Sequence, residues 1–248
     1  QFLFRIQKGV LDINDPRVND YFPPEEIRVP FRNMVYIGDS ATDIPCMKLV
    51  NSYGGYSIGT ISLFDGDKFY SHNAFRAPGA PNKTILNKPK YKTSYFKGIY
   101  KNMHNGIKSH NKYISKNNVE NFLKTLDFVF ICIDNGLVKK IIINTLNKHN
   151  IKYIDCGIDV NIVEQHLIGT VKNTLITDGE NDSLVNRISF DEINDDNYSS
   201  NIQIAELNAI SANFAVIAWK KINGIYLDST FKRNLVYDTN DGEIKYEN

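Results

Sequence analysis

The sequence predicts an α/β fold in which a mostly parallel sheet carries helices on both faces. Short apolar runs of the kind that buried parallel strands make, such as residues 127–133, alternate with helix-length segments such as residues 136–147. Strands that are separated by helices of this length imply βαβ crossovers. With 248 residues, of which 42% are hydrophobic, the chain can bury one full core, or one core plus a small appendage.

The individual elements are predicted from the same patterns. Apolar or alternating runs predict strands at residues 2–6, 33–37, 61–64, 127–133, 152–154, 225–227 and 235–237. Helices are predicted at residues 92–103, 136–147 and 202–222, with a shorter one through Met47, Leu49 and Val50. The polar residues 180–200 predict a long loop or crossover segment.

Composition excludes several classes of function. The 29 basic and 28 acidic residues nearly cancel, so a nucleic-acid partner is not expected. No apolar run approaches the roughly 20 residues that a membrane span needs. The three cysteines, Cys46, Cys132 and Cys156, are far apart in sequence and form no CxxC pair, which predicts no zinc site and fits a reducing cytoplasm. Cys132 is expected within a buried strand and Cys156 at the end of another, so neither is expected to be a thioester nucleophile.

The front of the chain carries two acids directly after the strand predicted at residues 33–37. The segment Gly-Asp-Ser-Ala-Thr-Asp at residues 38–43 resembles the fourth motif of the haloacid-dehalogenase (HAD) phosphatase superfamily, as does the wider stretch IGDSATDIPCMKLVNSYGGYSIG. In that family the two acids, here Asp39 and Asp43, hold Mg²⁺, a hard cation that prefers oxygen ligands. The family's DxDxT nucleophile motif occurs nowhere in this sequence. We therefore expect residues 1–59 to be a HAD-like C-terminal fragment without phosphatase activity.

A second acidic segment follows the strand predicted at residues 61–64. Residues 65–76, DGDKFYSHNAFR, resemble the DxDxVxxSNLxRQ segment of ThiF, MoeB and ubiquitin-activating enzymes. The resemblance gives Asp65 the role of accepting hydrogen bonds from ribose hydroxyls, with Asp67 beside it at the nucleotide. It also implies that Asn73 and Arg76 contact the triphosphate, a task that suits a planar guanidinium. The alternative is an ordinary acidic turn followed by a surface loop.

Two later segments resemble the same family. Residues 92–104 match its helix that opens with a lysine, so Lys92 is implied to neutralise charge during attack on the α-phosphorus, with Lys90 as the alternative in a shifted register. Residues 127–135, DFVFICIDN, match its D-x-V-x-x-x-x-D-N pattern, in which the second acid, here Asp134, binds Mg²⁺–ATP at the carboxyl edge of the sheet. Lys139 stands where the family often has arginine, which implies a contact with the nucleotide.

The order of these segments implies a Rossmann-like ThiF-type domain at residues 60–248. Such a domain uses ATP and Mg²⁺ to adenylate the C-terminal glycine of a ubiquitin-like or sulfur-carrier protein. The family's glycine-rich GxGGxGS loop, whose N–H groups cradle phosphates, is missing from the sequence, and residues 38–43 stand at nearly its position. We therefore expect a hybrid sheet that the HAD-like βα unit completes. We also expect weak or lost ATP turnover, because Asp39 and Asp43 add negative charge near the triphosphate.

Three functions remain open from the sequence. The first is ThiF-type adenylation, impaired by the missing loop. The second is a non-catalytic scaffold that binds a ubiquitin-like protein and forms a homodimer through the helix at residues 202–222. The third is a remnant Mg²⁺-dependent phosphatase.

Overall fold

The computed structural model describes residues 2–37, 44–53, 55–74, 77, 81, 83–177, 182–190, 204–229 and 232–247. The chain folds as two compact units. The first unit comprises residues 1–67 and 90–112, and the second comprises residues 68–89 and 113–248. The division predicted between residues 59 and 60 stays a prediction, because these units group residues by packing and not by ancestry.

The described elements alternate between helix and strand along most of the chain. The helices are Phe2–Lys8 (α1), Ile44–Ser52 (α2), Ser71–Ala74 (α3), Lys83–Asn87 (α4), Lys92–Tyr100 (α5), Val119–Leu123 (α6), Gly136–Lys148 (α7), Asp182–Val185 (α8) and Ala205–Ile222 (α9). The strands are Val35–Ile37 (β1), Tyr56–Ile58 (β2), Ile61–Phe64 (β3), Ile107–His110 (β4), Phe128–Ile131 (β5), Lys152–Val163 (β6), His166–Ile176 (β7), Asn234–Asp238 (β8) and Ile244–Glu247 (β9). Short 3-10 turns lie at Pro16–Asn19, Pro24–Glu26 and Phe31–Asn33.

The first unit contains two pairs of parallel strands. Strand β1 pairs with β2, and the helix that connects them in sequence is α2. Strand β3 pairs with β4 in register from Ile61 with Ile107 to Phe64 with His110. A small core of Phe31, Met34 and Val50 supports the β1–α2–β2 part. The carboxyl ends of β3 and β4 therefore lie side by side, which places the residues after them at one edge.

A single buried arginine organises the segment that follows α1. Arg5 is 5% exposed, and its guanidinium donates hydrogen bonds to the backbone carbonyl oxygens of Val10, Asp12, Ile13 and Asp15. The five N–H donors of a guanidinium make this fan of contacts available to one side chain. The segment after α1 is thus held by Arg5 and not by a strand partner.

The second unit contains a mixed five-stranded sheet of order β5–β6–β7–β8–β9. Strands β5 and β6 are parallel, and each later pair is antiparallel. Helices cover both faces of this sheet. On one face Tyr153 and Ile176 pack with α6 and α7, and on the other Ile154 and Leu175 pack with Ala215 of α9. The alternation along β6 therefore sends successive side chains to different helices.

A long hairpin joins β6 and β7. Its two-residue turn is Glu164–Gln165, and both residues have positive φ values, 49° and 73°. Two adjacent residues with positive φ define a type I′ turn, which matches the twist of the flanking strands. The half of the hairpin nearest the turn, residues 161–167, is exposed.

The α/β class predicted from the sequence is confirmed, including helices on both faces of the five-stranded sheet, and that sheet is mixed, with one parallel and three antiparallel pairings. The strand predicted at residues 2–6 is wrong, because these residues form α1, and a short apolar run does not distinguish a strand from a helix. The strand predicted at residues 225–227 is also wrong. There α9 ends at Ile222, Gly224 follows with a positive φ of 70°, and Leu227 is 92% exposed.

Strand β3 has its predicted bounds, and β8, α5, α7 and α9 lie within three residues of theirs. Of residues 180–200, residues 182–185 form α8, while residues 180–181 and 191–200 lie outside the described part. None of the helices in the described part of the chain has the length and apolar character that a bilayer crossing needs. The cytoplasmic location stays a prediction.

Candidate functional site

Two acids of the first unit lie just past the carboxyl end of β3. The N–H of Asp65 donates to the carbonyl oxygen of His110, which continues the β3–β4 pairing by one step. The side chain of Asp65 accepts a hydrogen bond of 2.7 Å from the N–H of Asp67, so the chain turns sharply at this point. The sequence places an acid at the carboxyl end of a parallel strand, and the structure bears out that placement.

Lys92 opens α5 and contacts both acids. Its Nζ lies 2.8 Å from Oδ2 of Asp67 and 3.5 Å from Oδ2 of Asp65, and its backbone N–H donates to the carbonyl oxygen of Asp67. The Lys92 side chain is 25% exposed, so the ammonium is reachable from solvent. Lys90, the alternative in the shifted register, is exposed and makes no hydrogen bond or ion pair with another described residue.

His110 and Asn111 are site residues that the sequence reasoning missed. The His110 ring stacks on Phe64 with a centroid separation of 4.3 Å, and burial together with Lys108 and Lys112 lowers the pKa of His110. The Oδ1 of Asn111 accepts hydrogen bonds from the hydroxyls of Thr93 and Ser94 in α5. These contacts fix the start of α5 against the end of β4. Only the pairing of β3 with β4, which the sequence does not reveal, brings them to Asp65.

For several other predicted site residues, the structure does not test the predicted role. Asn73 belongs to α3, and its Oδ1 accepts a hydrogen bond of 2.8 Å from the N–H of Tyr70. Arg76, Asp39 and Asp43 lie outside the described residues, so their roles stay predictions. The same holds for the HAD resemblance of residues 38–43 and for the substitution of that loop for the missing glycine-rich one.

In the second unit, Asp134 lies at the carboxyl end of β5, between the strand and α7. Its carboxylate is exposed and makes no hydrogen bond or ion pair with any other residue in the part of the chain that the structure describes. The next residue, Asn135, caps α7, since its Oδ1 accepts a hydrogen bond of 2.9 Å from the N–H of Val138. In the D-N pair of the sequence pattern, the aspartate is thus an exposed acid and the asparagine is a helix cap.

The first residue of α7 has no room for a side chain. A Cβ at Gly136 would lie 1.8 Å from the carbonyl oxygen of Phe190, far inside van der Waals contact. The backbone of Phe190 therefore packs directly on the start of α7. This close approach fixes the position of the helix beneath Asp134.

Lys139 and Asp155 form a buried ion pair between α7 and β6. Their residues are 6% and 5% exposed, and Nζ lies 3.0 Å from Oδ1 and 3.3 Å from Oδ2. Burial raises the pKa of Asp155, although the Lys139 ammonium acts in the opposite direction. The ammonium of Lys139 is thus engaged by Asp155 in this structure, and its contact with a nucleotide stays a prediction.

The residues at the carboxyl end of β5 fit a magnesium ion that a nucleotide brings. Mg²⁺ keeps several waters and is held in such sites by one or two carboxylates together with substrate phosphates. The free carboxylate of Asp134 meets that need. Within the described ranges no three His, Cys, Asp or Glu side chains gather into a metal site made of protein alone.

The cysteines differ from their prediction. Cys132 follows β5 and is exposed, and Cys156 lies in the middle of β6 and is half-buried. The sequence reasoning placed the first within a buried strand and the second at a strand end. Both placements are wrong, because β5 is shorter and β6 longer than predicted.

Comparison with known proteins identifies the family. A model of the ThiF family matches residues 49–188. This segment is more than half of the chain, and the chain therefore belongs to the ThiF family. It includes Asp65, Asp67, Lys92 and Asp134.

Solved structures with the same fold include a microcin biosynthetic enzyme. Escherichia coli MccB in complex with MccA-N7isoASN is 15% identical, with a TM-score of 0.56, and the match covers 88% of this chain and 65% of that chain. E. coli MccB with ATP gives 16% identity, a TM-score of 0.53, and coverage of 88% and 64%. PaaA gives 14% identity, a TM-score of 0.53, and coverage of 88% and 64%. At these identities the likeness shows the fold alone.

The chain spans less than two thirds of the length of these MccB and PaaA chains. A curated relative, an uncharacterized protein of Borreliella burgdorferi strain B31, is 26% identical over 65 residues, which is 26% of this chain and 21% of the relative. That short match adds no functional information.

Proposed function

We propose that this chain binds Mg²⁺–ATP and adenylates the C-terminal glycine carboxylate of a ubiquitin-like or sulfur-carrier protein. The observation that carries the proposal is the free carboxylate of Asp134 at the end of β5, within the segment that matches the ThiF family. Ligands of doubly wound sheets bind at this edge. Membership of the ThiF family and the likeness to MccB, which was solved with ATP, support the same assignment.

The proposed reaction needs little acid–base chemistry from the protein. The glycine carboxylate is already ionised, and one of its oxygens attacks the α-phosphorus of ATP. The bond from this phosphorus to the bridging oxygen breaks, and pyrophosphate leaves with the electron pair. Magnesium supplies charge neutralisation at the phosphates. The protein then has to hold the nucleotide, orient the carboxylate and stabilise the negative charge of the transition state.

The family resemblance gives two residues of the first unit a proposed role at the nucleotide. Asp65 would accept hydrogen bonds from the ribose hydroxyls, as an acid at the end of a strand does in related nucleotide-binding folds. Lys92 would leave Asp67 and turn towards the phosphates. Breaking the Lys92–Asp67 ion pair should cost little free energy, because an ion pair between exposed groups contributes about 0–1 kcal/mol. Asn73, Arg76 and Lys139 remain proposed phosphate contacts.

Calorimetry with ATP and 2′,3′-dideoxy-ATP tests the nucleotide site. The parent protein should bind ATP about tenfold or more tightly than the dideoxy analogue, because hydrogen bonds to a charged group contribute about 1.5–3 kcal/mol. In Asp65→Ala the two nucleotides should bind alike. The control is Glu25→Ala, which removes an exposed acid of the same unit and should keep the parent's preference.

Two outcomes would contradict the assignment. If the parent fails to discriminate between the two nucleotides, Asp65 does not read the ribose. If no ATP binding is found at millimolar Mg²⁺ and nucleotide, the chain is not a nucleotide-binding member of its family. A separate assay tests the reaction itself: the parent protein is mixed with a carrier protein, and the exchange of pyrophosphate into ATP is measured.

One observation favours binding without catalysis as the second candidate function. Lys92, the group proposed to neutralise the reacting phosphate, is itself neutralised by Asp65 and Asp67. A protein that binds ATP and a carrier protein with no pyrophosphate exchange would be a scaffold of the kind considered above. Exchange that depends on Lys92 would exclude it. The homodimer remains a proposal that sedimentation analysis can test.

A further inference from the structure

Two cysteines that are distant in sequence lie next to each other in the second unit. Strands β5 and β6 are parallel and pair in register up to Ile131 with Asp155. The next residue along the chain is a cysteine in both cases, Cys132 directly after β5 and Cys156 within β6. Neighbouring strands lie about 4.7–4.9 Å apart, and disulfides join Cα atoms that are about 4.4–6.8 Å apart. The spacing of the sheet therefore permits a bridge at this position.

The two thiols also point to the same side of the sheet. Cys156 packs with Ile154, Leu175 and Ala215, which is the face that α9 covers. Ile131 belongs to the core on the opposite face, so Cys132, one position later, is directed to the α9 side as well. The two thiols lie within hydrogen-bonding reach of each other.

The two cysteines differ in their access to solvent. Cys132 is exposed, whereas Cys156 is half-buried in the middle of β6. A disulfide in solution can therefore reach Cys132 first, and Cys156 is placed to react with a group that Cys132 already holds. This is the arrangement of an attacking and a resolving thiol.

We propose that Cys132 and Cys156 form a reversible disulfide, with Cys132 as the attacking thiol and Cys156 as the resolving thiol. The oxidant is a small-molecule disulfide. The Cys132 thiolate attacks one sulfur of that disulfide, the S–S bond breaks, and one small thiol leaves. The Cys156 thiol then loses its proton and attacks the Cys132 sulfur, which releases the second small thiol. Two protein thiols are oxidised, and one external disulfide is reduced to two thiols.

The test is thiol trapping and intact-mass measurement after treatment of the folded, full chain with oxidised glutathione. The experiment uses Cys46→Ser as the parent, which removes the cysteine of the first unit. This parent should lose both remaining thiols without retaining glutathione, and dithiothreitol should restore them. Peptide mapping should then find Cys132 linked to Cys156.

Two variants separate the roles of the thiols. In the same background, Cys156→Ser should accumulate a stable glutathione adduct on Cys132, because the resolving thiol is missing. Cys132→Ser should leave Cys156 unmodified over the same time. The proposal is overturned if the parent keeps glutathione on either cysteine without forming the bridge, or if Cys156 reacts as fast in Cys132→Ser as in the parent. Circular dichroism of each variant confirms that the readings come from folded protein.

Discussion

Asp134→Asn should lower pyrophosphate exchange by about 10²–10³-fold, the loss that typically follows removal of one transition-state contact. Asparagine keeps the size and shape of the side chain but lacks the negative charge that a magnesium ion needs. Because Asp134 is exposed and has no partner among the described residues, the substitution should leave the stability of the fold unchanged. The measurements are exchange of labelled pyrophosphate into ATP over a range of Mg²⁺ concentrations, and thermal unfolding.

The matched control is Asp127→Asn at the opposite end of the same strand. Asp127 precedes β5 and is exposed, so its loss should change the exchange rate by less than about twofold. Asp39→Ala should also retain exchange if the acids of residues 38–43 stay apart from the reacting phosphates. Equal losses in Asp39→Ala and Asp134→Asn would mean that both acids serve one metal, against our assignment.

Lys139→Met should lower the free energy of unfolding by about 3–5 kcal/mol, because it leaves the Asp155 carboxylate buried without its partner. Lys139 and Asp155 are only 6% and 5% exposed, so water cannot replace the lost ammonium. The deficit should shrink as the pH falls. Because burial raises the pKa of Asp155, this acid takes up a proton as the pH falls, and the neutral form does not need the ammonium of Lys139. Urea unfolding at several pH values measures both effects.

Helix α7 itself offers the control for this prediction. Lys148 is its last residue, is 65% exposed, and holds Glu120 with an Nζ to Oε1 distance of 3.0 Å. Lys148→Met should cost no more than about 1 kcal/mol, as is typical of exposed pairs. The double variant Lys139→Met/Asp155→Leu should recover most of the loss, since it leaves no charge behind. If Lys139→Met and Lys148→Met lower the free energy of unfolding by the same amount, Lys139 and Asp155 do not form a buried ion pair.

Local signals in the sequence predicted much of the fold. Strand β3 and the acid after it, and β5 with the D-N pair after it, could be recognised because each is a short apolar run that ends at polar residues. Helix α7 was bounded by Asn135, whose cap depends only on its own neighbourhood. Such features need no knowledge of which strands pair.

The features that the sequence did not reveal depend on pairing. Strand β6 was predicted to end at residue 154, but it continues to Val163 because β7 supplies hydrogen bonds along its exposed half. Lys139 was assigned to the nucleotide because it stands where the family often has arginine, and its ion pair with Asp155, 16 positions later, could not be recognised from the sequence. The juxtaposition of Cys132 and Cys156 likewise required the register of β5 on β6. Side chains that meet across strands leave no periodic trace in the sequence.

The fan of contacts around Arg5 has a consequence for how the segment after α1 opens. One guanidinium donates hydrogen bonds to four carbonyl oxygens there, so a movement of this side chain out of its place breaks all of these bonds together. Residues 9–15 should then behave as a single cooperative patch that is either closed or open, without intermediate fraying. The amides of this patch that donate to carbonyl oxygens, those of Gly9, Val10 and Asp15, should share one opening free energy in hydrogen exchange and should lose their protection together in Arg5→Leu.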